Sequence, residues 1–75
     1  MRRVGEVVRS AQGLAVVRSP DGSTPDVGTE LVDESLAPVG EVVDVFGPVE
    51  QPYVAVSVVD RRVATLLGSV VYARE

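Results

Sequence analysis

Apolar and polar residues alternate along six short segments of the chain, as they do in β-strands that bury one face. Glycine, proline, aspartate and serine separate these segments and indicate turns. No stretch has apolar residues at helical spacing. The six predicted strands cover residues 3–10, 14–18, 29–33, 39–46, 53–59 and 69–73. The pattern predicts one all-β domain over residues 1–75, built as a small sandwich or barrel.

The fourth predicted strand, residues 39–46, places Val42, Asp44 and Phe46 on one face, because successive strand residues point to opposite sides. It begins with Val-Gly-Glu-Val-Val, and the same five residues occur at 4–8. Two core strands of one barrel require the same pattern, which explains the repetition without a duplicated function. The early glycine of each copy predicts a bend or a close approach of two backbones.

A turn bounded by two prolines follows this strand and is the most informative feature of the chain. Gly47-Pro48 ends the strand, because proline has no N–H to donate to a sheet. The residues before Pro48 and Pro52 are restricted to extended conformations. The sequence therefore predicts a rigid corner that carries Phe46 and Tyr53. These two aromatic side chains fit two alternatives, burial in the core or exposure as anchors of a docking surface.

The composition strengthens the all-β prediction, since valine accounts for 19 of the 75 residues and favours strands. All seven basic residues are arginine, and eleven acidic residues give a net charge of −4. An acidic surface without lysine suits a salt-rich cytoplasm, where about 1 M salt shortens the Debye length to about 3 Å. A GC-rich genome explains the same residue usage. We expect a cytoplasmic protein, with adaptation to salt as one explanation of its charge.

Membranes and nucleic acids are both unfavoured as direct partners. No apolar run approaches the roughly 20 residues that span a bilayer, and the first residues lack the apolar segment of a signal peptide. A net negative domain binds phosphates poorly, because affinity for nucleic acid comes largely from cations that displace counterions. Three aromatic residues are also few for a base-stacking platform.

Catalysis is not predicted, because the chain contains no histidine, cysteine or lysine. Asp44 lies near the end of a strand, where a carboxylate is usually satisfied by backbone N–H groups at the rim. Asp33, Glu34 and Glu41 match no calcium loop and are interpreted as solvated faces. No glycine-rich phosphate loop is present. The sequence therefore predicts no catalytic residue, no metal site and no cofactor.

The whole chain resembles the Gar/Naf family, the small barrel subunit of box H/ACA ribonucleoproteins, in its short archaeal form. The resemblance is carried by the openings of the first and fourth strands, by the return strand at 14–18, by Gly-Thr-Glu-Leu-Val-Asp-Glu at 28–34, and by Leu-Gly-Ser-Val-Val-Tyr at 67–72. Its most specific part is Phe-Gly-Pro-Val-Glu-Gln-Pro-Tyr at 46–53. The chain lacks the Gly-Arg-rich tails of eukaryotic members.

The resemblance implies a six-stranded antiparallel β-barrel that is not itself catalytic. It implies docking on the catalytic pseudouridine synthase subunit, the relative of dyskerin, and an influence on the mobile loop that grips substrate RNA. Such a subunit aids loading and release of substrate in guide-directed rRNA pseudouridylation, and it meets guide and substrate RNA only through the complex. The partner-binding residues that the resemblance implies are Phe46, Gly47, Pro48, Val49, Pro52 and Tyr53.

Two other classes of small barrel compete with this interpretation. Residues 28–45 also resemble a PRC-type barrel, an interaction module of RNA-processing and photosynthetic proteins. The Gly-Pro and Pro-Tyr pairs at 47–48 and 52–53 discriminate, because a PRC-type strand does not require that corner. A barrel module of a translation factor is the third class, and such modules normally occur within longer chains.

Overall fold

Six antiparallel strands close into a barrel in the computed structural model, which describes residues 2–20, 22–59 and 63–74. The strands are β1 (Arg2–Ala11), β2 (Leu14–Arg18), β3 (Glu30–Val32), β4 (Pro38–Phe46), β5 (Tyr53–Val58) and β6 (Val70–Ala73). Their order around the barrel is β1-β2-β5-β4-β3-β6, and a short 3-10 helix, η1 (Val63–Leu66), precedes β6. The predicted six-stranded barrel is confirmed, and every predicted strand end agrees within one residue.

Valine fills the interior of the barrel. Every strand contributes at least one side chain to the core. Two leucines join the valines and alanines there, Leu31 from β3 and Leu66 from η1. β-branched side chains pack well on a pleated surface, which is why a valine-rich sequence suits these strands. The core cluster contains no aromatic side chain. The three aromatic residues of the chain therefore lie outside the core cluster.

The barrel has an approximate internal two-fold relationship. Exchanging β1 with β4, β2 with β5 and β3 with β6 leaves the order of neighbours around the barrel unchanged. Gly5 and Gly40 occupy equivalent places in the two Val-Gly-Glu-Val-Val segments. A β-carbon at Gly5 would overlap the carbonyl oxygen of Arg18, and one at Gly40 would overlap that of Ser57. The close backbone approach predicted at both glycines is confirmed.

A β-bulge in β4 corrects the predicted face of its side chains. Val42 pairs with Val56, but the next pair of the ladder joins Asp44 to Ala55, so Val43 is an extra residue. A bulge reverses the alternation beyond it. Val42 is consequently buried, whereas Asp44 and Phe46 are exposed. The prediction that Val42 shares a face with Asp44 and Phe46 is wrong, because strict alternation takes no account of a bulge.

The connection between β3 and β4 is a tight, hydrogen-bonded turn. Asp33 is half-buried, and its Oδ1 accepts hydrogen bonds from Ser35 N, Ser35 Oγ and Ala37 N at 2.9, 2.8 and 3.0 Å. Leu36 adopts a left-handed conformation with φ +68°. Beyond the predicted solvated face, the half-buried carboxylate of Asp33 organises the turn. Among the described residues, no helix is long and apolar enough to cross a bilayer.

Candidate docking surface at the β4–β5 corner

Phe46 and Tyr53 form an aromatic pair at the corner between β4 and β5. The two residues lie directly opposite each other in the ladder. Their rings stack with centroids 5.7 Å apart and planes inclined by 24°. Phe46 is 39% exposed and Tyr53 is half-buried, so the pair lies on the outer surface of the sheet. Of the two alternatives left open by the sequence, core burial is excluded for Phe46.

Gly47 shapes the corner in two ways. Its φ of +96° is disfavoured for residues that carry a β-carbon. A β-carbon at this position would also lie 2.9 Å from Cδ2 of Tyr53. Glycine therefore permits both the turn of the backbone and the close approach of the tyrosine ring. The predicted strand end at Gly47-Pro48 is confirmed, because β4 ends at Phe46.

The tip of the corner presents an apolar side chain to solvent. Gln51 N donates a hydrogen bond of 3.2 Å to the carbonyl oxygen of Pro48, which closes a four-residue turn. Val49, inside this turn, is 88% exposed, the largest exposure among the bulky apolar residues of the described chain. Pro48 and Glu50 are exposed as well. The turn thus presents the Val49 side chain to solvent.

Pro52 has a different role from the other predicted binding residues, because it is buried. Its carbonyl oxygen accepts a hydrogen bond of 3.1 Å from Ser19 N. Ser19 is completely buried, and its hydroxyl donates to the carbonyl oxygen of Ser23 at 2.8 Å. The loop that follows β2 is therefore hydrogen-bonded to the buried part of the corner and supports it. Pro52 supports the surface and does not form part of its exposed face.

The strand register brings an arginine to the aromatic pair. Arg18 of β2 lies opposite Tyr53 of β5, and on its other side it lies opposite Glu6 of β1. Arg18 and Phe46 thus flank Tyr53 in one row across the outer sheet surface. The local sequence pattern does not point to Arg18 or Ser19, because both are separated from the corner by more than 25 positions. The pairing of β2 with β5, which periodicity alone does not reveal, is the signal that locates them.

The acidic side chain of Asp44, near the corner, is hydrogen-bonded to the backbone. Asp44 is exposed, and its Oδ1 accepts a hydrogen bond of 2.8 Å from Val45 N. The prediction of a rim-facing carboxylate satisfied by backbone is therefore confirmed. Within the described ranges no group of three or more possible metal ligands converges. A surface groove of about 320 Å³ lies elsewhere, between β3 and β4, and includes Glu30, Glu41 and Arg74.

Comparison with known proteins places this barrel in a family. The description Gar1/Naf1 RNA binding region matches residues 1–74, which is nearly the whole chain. No curated protein sequence matches the chain significantly. The family has an H/ACA ribonucleoprotein-related role, and its members are RNA-binding accessory proteins and not catalysts. The closed barrel and the match together support one assignment: the chain belongs to the Gar1/Naf1 family.

Proposed function

We propose that this protein is the non-catalytic barrel subunit of an H/ACA guide-RNA-dependent pseudouridine synthase. It docks on the catalytic subunit, the relative of dyskerin, and aids loading and release of substrate RNA during rRNA pseudouridylation. The observation that carries this proposal is the exposed corner of β4 and β5. There the Phe46–Tyr53 stack and the 88% exposed Val49 form an apolar surface with no cover from the described chain.

The corner has the properties of an anchor for a protein partner. Its backbone is held by Gly47, by the Pro48–Gln51 hydrogen bond and by the bond from Ser19 to Pro52. Because the turn is already ordered, little conformational entropy is lost when a partner covers it. Aromatic side chains beside a polar rim are enriched among residues that dominate binding energy. The contact surface in this proposal consists of Phe46, Gly47, Pro48, Val49 and Tyr53, with Pro52 as their support.

The net charge of −4 favours contact with RNA through the complex over strong binding by the free subunit. The same charge and the absence of lysine are consistent with a salt-rich cytoplasm, and the proposal of an archaeal source rests on the resemblance to the short members of the family. The PRC-type interaction module, our other candidate from the sequence, loses support because the family match is to Gar1/Naf1.

Direct contact with RNA is a second candidate, which the row formed by Arg18, Tyr53 and Phe46 favours. An arginine beside two partly exposed rings can stack with an unpaired base. The two candidates differ in their salt dependence. Direct phosphate contacts weaken steeply between about 50 and 200 mM salt, whereas an apolar protein interface changes little. Titration of guide RNA into the free subunit over this range distinguishes them, and Arg18→Ala is the matched variant.

The main experiment is co-purification with the pseudouridine synthase subunit of the same source, followed by single- and multiple-turnover assays with guide RNA. We expect stable binding and faster multiple turnover, with a smaller effect on a single turnover, because release of product limits only repeated cycles. Failure to bind at a salt concentration where both proteins are folded would overturn the proposal.

A further inference from the structure

Strand β4 has an open edge next to the corner. On the side facing β3, ladder pairing reaches Glu41, and two hydrogen bonds extend it to Val42. These run from Val42 N to the carbonyl oxygen of Thr29, at 3.0 Å, and from Gly28 N to the carbonyl oxygen of Val42, at 2.8 Å. Among the residues that the structure describes, 43–46 pair with β5 and have no strand paired on their other side. An open edge of this kind is a template for an additional strand.

The first backbone N–H on this edge, that of Val45, is hydrogen-bonded to a side chain and not to a neighbouring strand. The bulge at Val43 shifts the backbone by one residue, so that Val45 N follows Val42 N along the open side. Val45 N donates to Asp44 Oδ1 at 2.8 Å, and this hydrogen bond is exposed to solvent. Val43 is 41% exposed and Phe46 39% exposed along the same segment. The edge therefore has apolar side chains and an N–H group whose present acceptor, the Asp44 carboxylate, another acceptor can replace.

The two-fold relationship provides an internal comparison. In β1, Val7 N donates to the carbonyl oxygen of Ser69, and Gly68 N donates to that of Val7, which reproduces the bonds of β4 with β3. Residues 8–11 of β1 then run without a β6 partner, as residues 43–46 of β4 do without β3. The β1 edge has Arg9 and Ser10 where the β4 edge has Asp44 and Val45. Only the β4 edge is acidic and adjoins the aromatic corner.

We propose that an extended segment of the catalytic subunit pairs with residues 43–46 as an added β-strand. This proposal rests on the proposed function, and it specifies how the catalytic subunit binds the docking surface. The segment carries a basic residue that pairs with Asp44 or Glu50 and an apolar residue that packs on Phe46. Charge complementarity supports this occupant, because the exposed charged residues of the β4 edge and the following turn, Asp44 and Glu50, are both carboxylates, whereas Arg18 lies two strands away on β2. The chain as a whole is also negative. A backbone carbonyl of the segment replaces Asp44 at Val45 N.

Amide hydrogen exchange, measured by NMR on the whole chain with and without the isolated catalytic subunit, tests the proposal. We expect exchange at Val45 N to slow by about tenfold or more on binding, because a strand hydrogen bond replaces an exposed one. The amide of Ser10, at the equivalent place in β1, should keep its rate. Slowing at Ser10 with no change at Val45 would overturn the assignment of the edge.

A backbone ester separates a strand hydrogen bond from simple burial. Replacing the Val45 amide by an ester removes the donor and keeps the side chain, and we expect binding to weaken by about two- to tenfold. The same replacement at Ser10 is the matched control and should leave affinity unchanged. If Phe46→Ala weakens binding but the Val45 ester does not, strand addition is wrong and the docking surface stands. If the catalytic subunit does not bind at all, both the proposed function and the proposed strand addition are wrong.

Discussion

Gly47 lies against the ring of Tyr53, so that a β-carbon on the glycine would come within 2.9 Å of Cδ2 of the tyrosine. The same glycine adopts φ +96°. One residue thus satisfies two requirements of the corner, a left-handed backbone and room for the aromatic stack. Substitution at Gly47 therefore disturbs the position of Tyr53 as well as the turn.

We expect Gly47→Ala to lower the free energy of unfolding by about 2–3 kcal/mol, the sum of left-handed strain and the contact with Tyr53. Gly13→Ala is the matched control, because Gly13 has φ +83° but nothing within 4 Å of a β-carbon. It should cost only about 1 kcal/mol. Urea unfolding of both variants measures the difference. Equal losses would mean that the tyrosine ring moves aside without cost.

Phe46→Ala should weaken binding to the catalytic subunit by about tenfold or more, because a partly exposed aromatic at a rigid corner is a typical binding anchor. Its effect on folding should be small, near 1 kcal/mol, since the side chain leaves the Tyr53 stack but opens no core cavity. Calorimetric titration and urea unfolding separate the two effects.

Leu67→Ala is the control for Phe46→Ala. Leu67 is 50% exposed but lies in the connection before β6 and is not part of the β4–β5 corner. A general loss of apolar surface would weaken binding in both variants, whereas a specific corner affects only Phe46→Ala. A Phe46→Ala protein that binds with unchanged affinity would remove the corner from the interface.

The strands and their ends were predictable because each is a local pattern of valine and turn residues. The inward or outward direction of Phe46 was not predictable, because it depends on the bulge at Val43. The alternation of apolar and polar residues does not reveal where a strand contains an extra residue. Pairing of β2 with β5 brings Arg18 to Tyr53, and that relationship arises from barrel closure. The corner itself was visible in the sequence, since glycine and proline restrict the backbone locally.

Gly5→Ala and Gly40→Ala should each destabilise the barrel by about 3 kcal/mol or more, because the new methyl group would overlap a backbone carbonyl oxygen that cannot rotate away. The two-fold relationship predicts similar losses at the two positions. Circular dichroism during urea titration measures them, with Gly13→Ala again as the reference. A mild effect at one glycine only would show that the two halves differ in how their strands can separate.

Leu36→Gly should stabilise the protein. Leu36 has φ +68° and is 56% exposed, so its side chain contributes little packing while its backbone is strained. Relief of about 1–2 kcal/mol of left-handed strain exceeds the entropy that glycine adds to the unfolded chain, about 0.5–1 kcal/mol. We expect a net gain of about 0.5–1 kcal/mol in the free energy of unfolding, measured by urea titration.

Leu67→Gly is the matched comparison for Leu36→Gly, because Leu67 is similarly exposed but has no positive φ. Glycine there adds entropy to the unfolded chain without relieving strain, so this variant should lose about 0.5–1 kcal/mol. Opposite signs in the two variants would attribute the gain to the backbone of the turn that Asp33 organises. If Leu36→Gly destabilises the protein as Leu67→Gly does, the leucine side chain itself supports the turn, and the strain at Leu36 is smaller than its φ indicates.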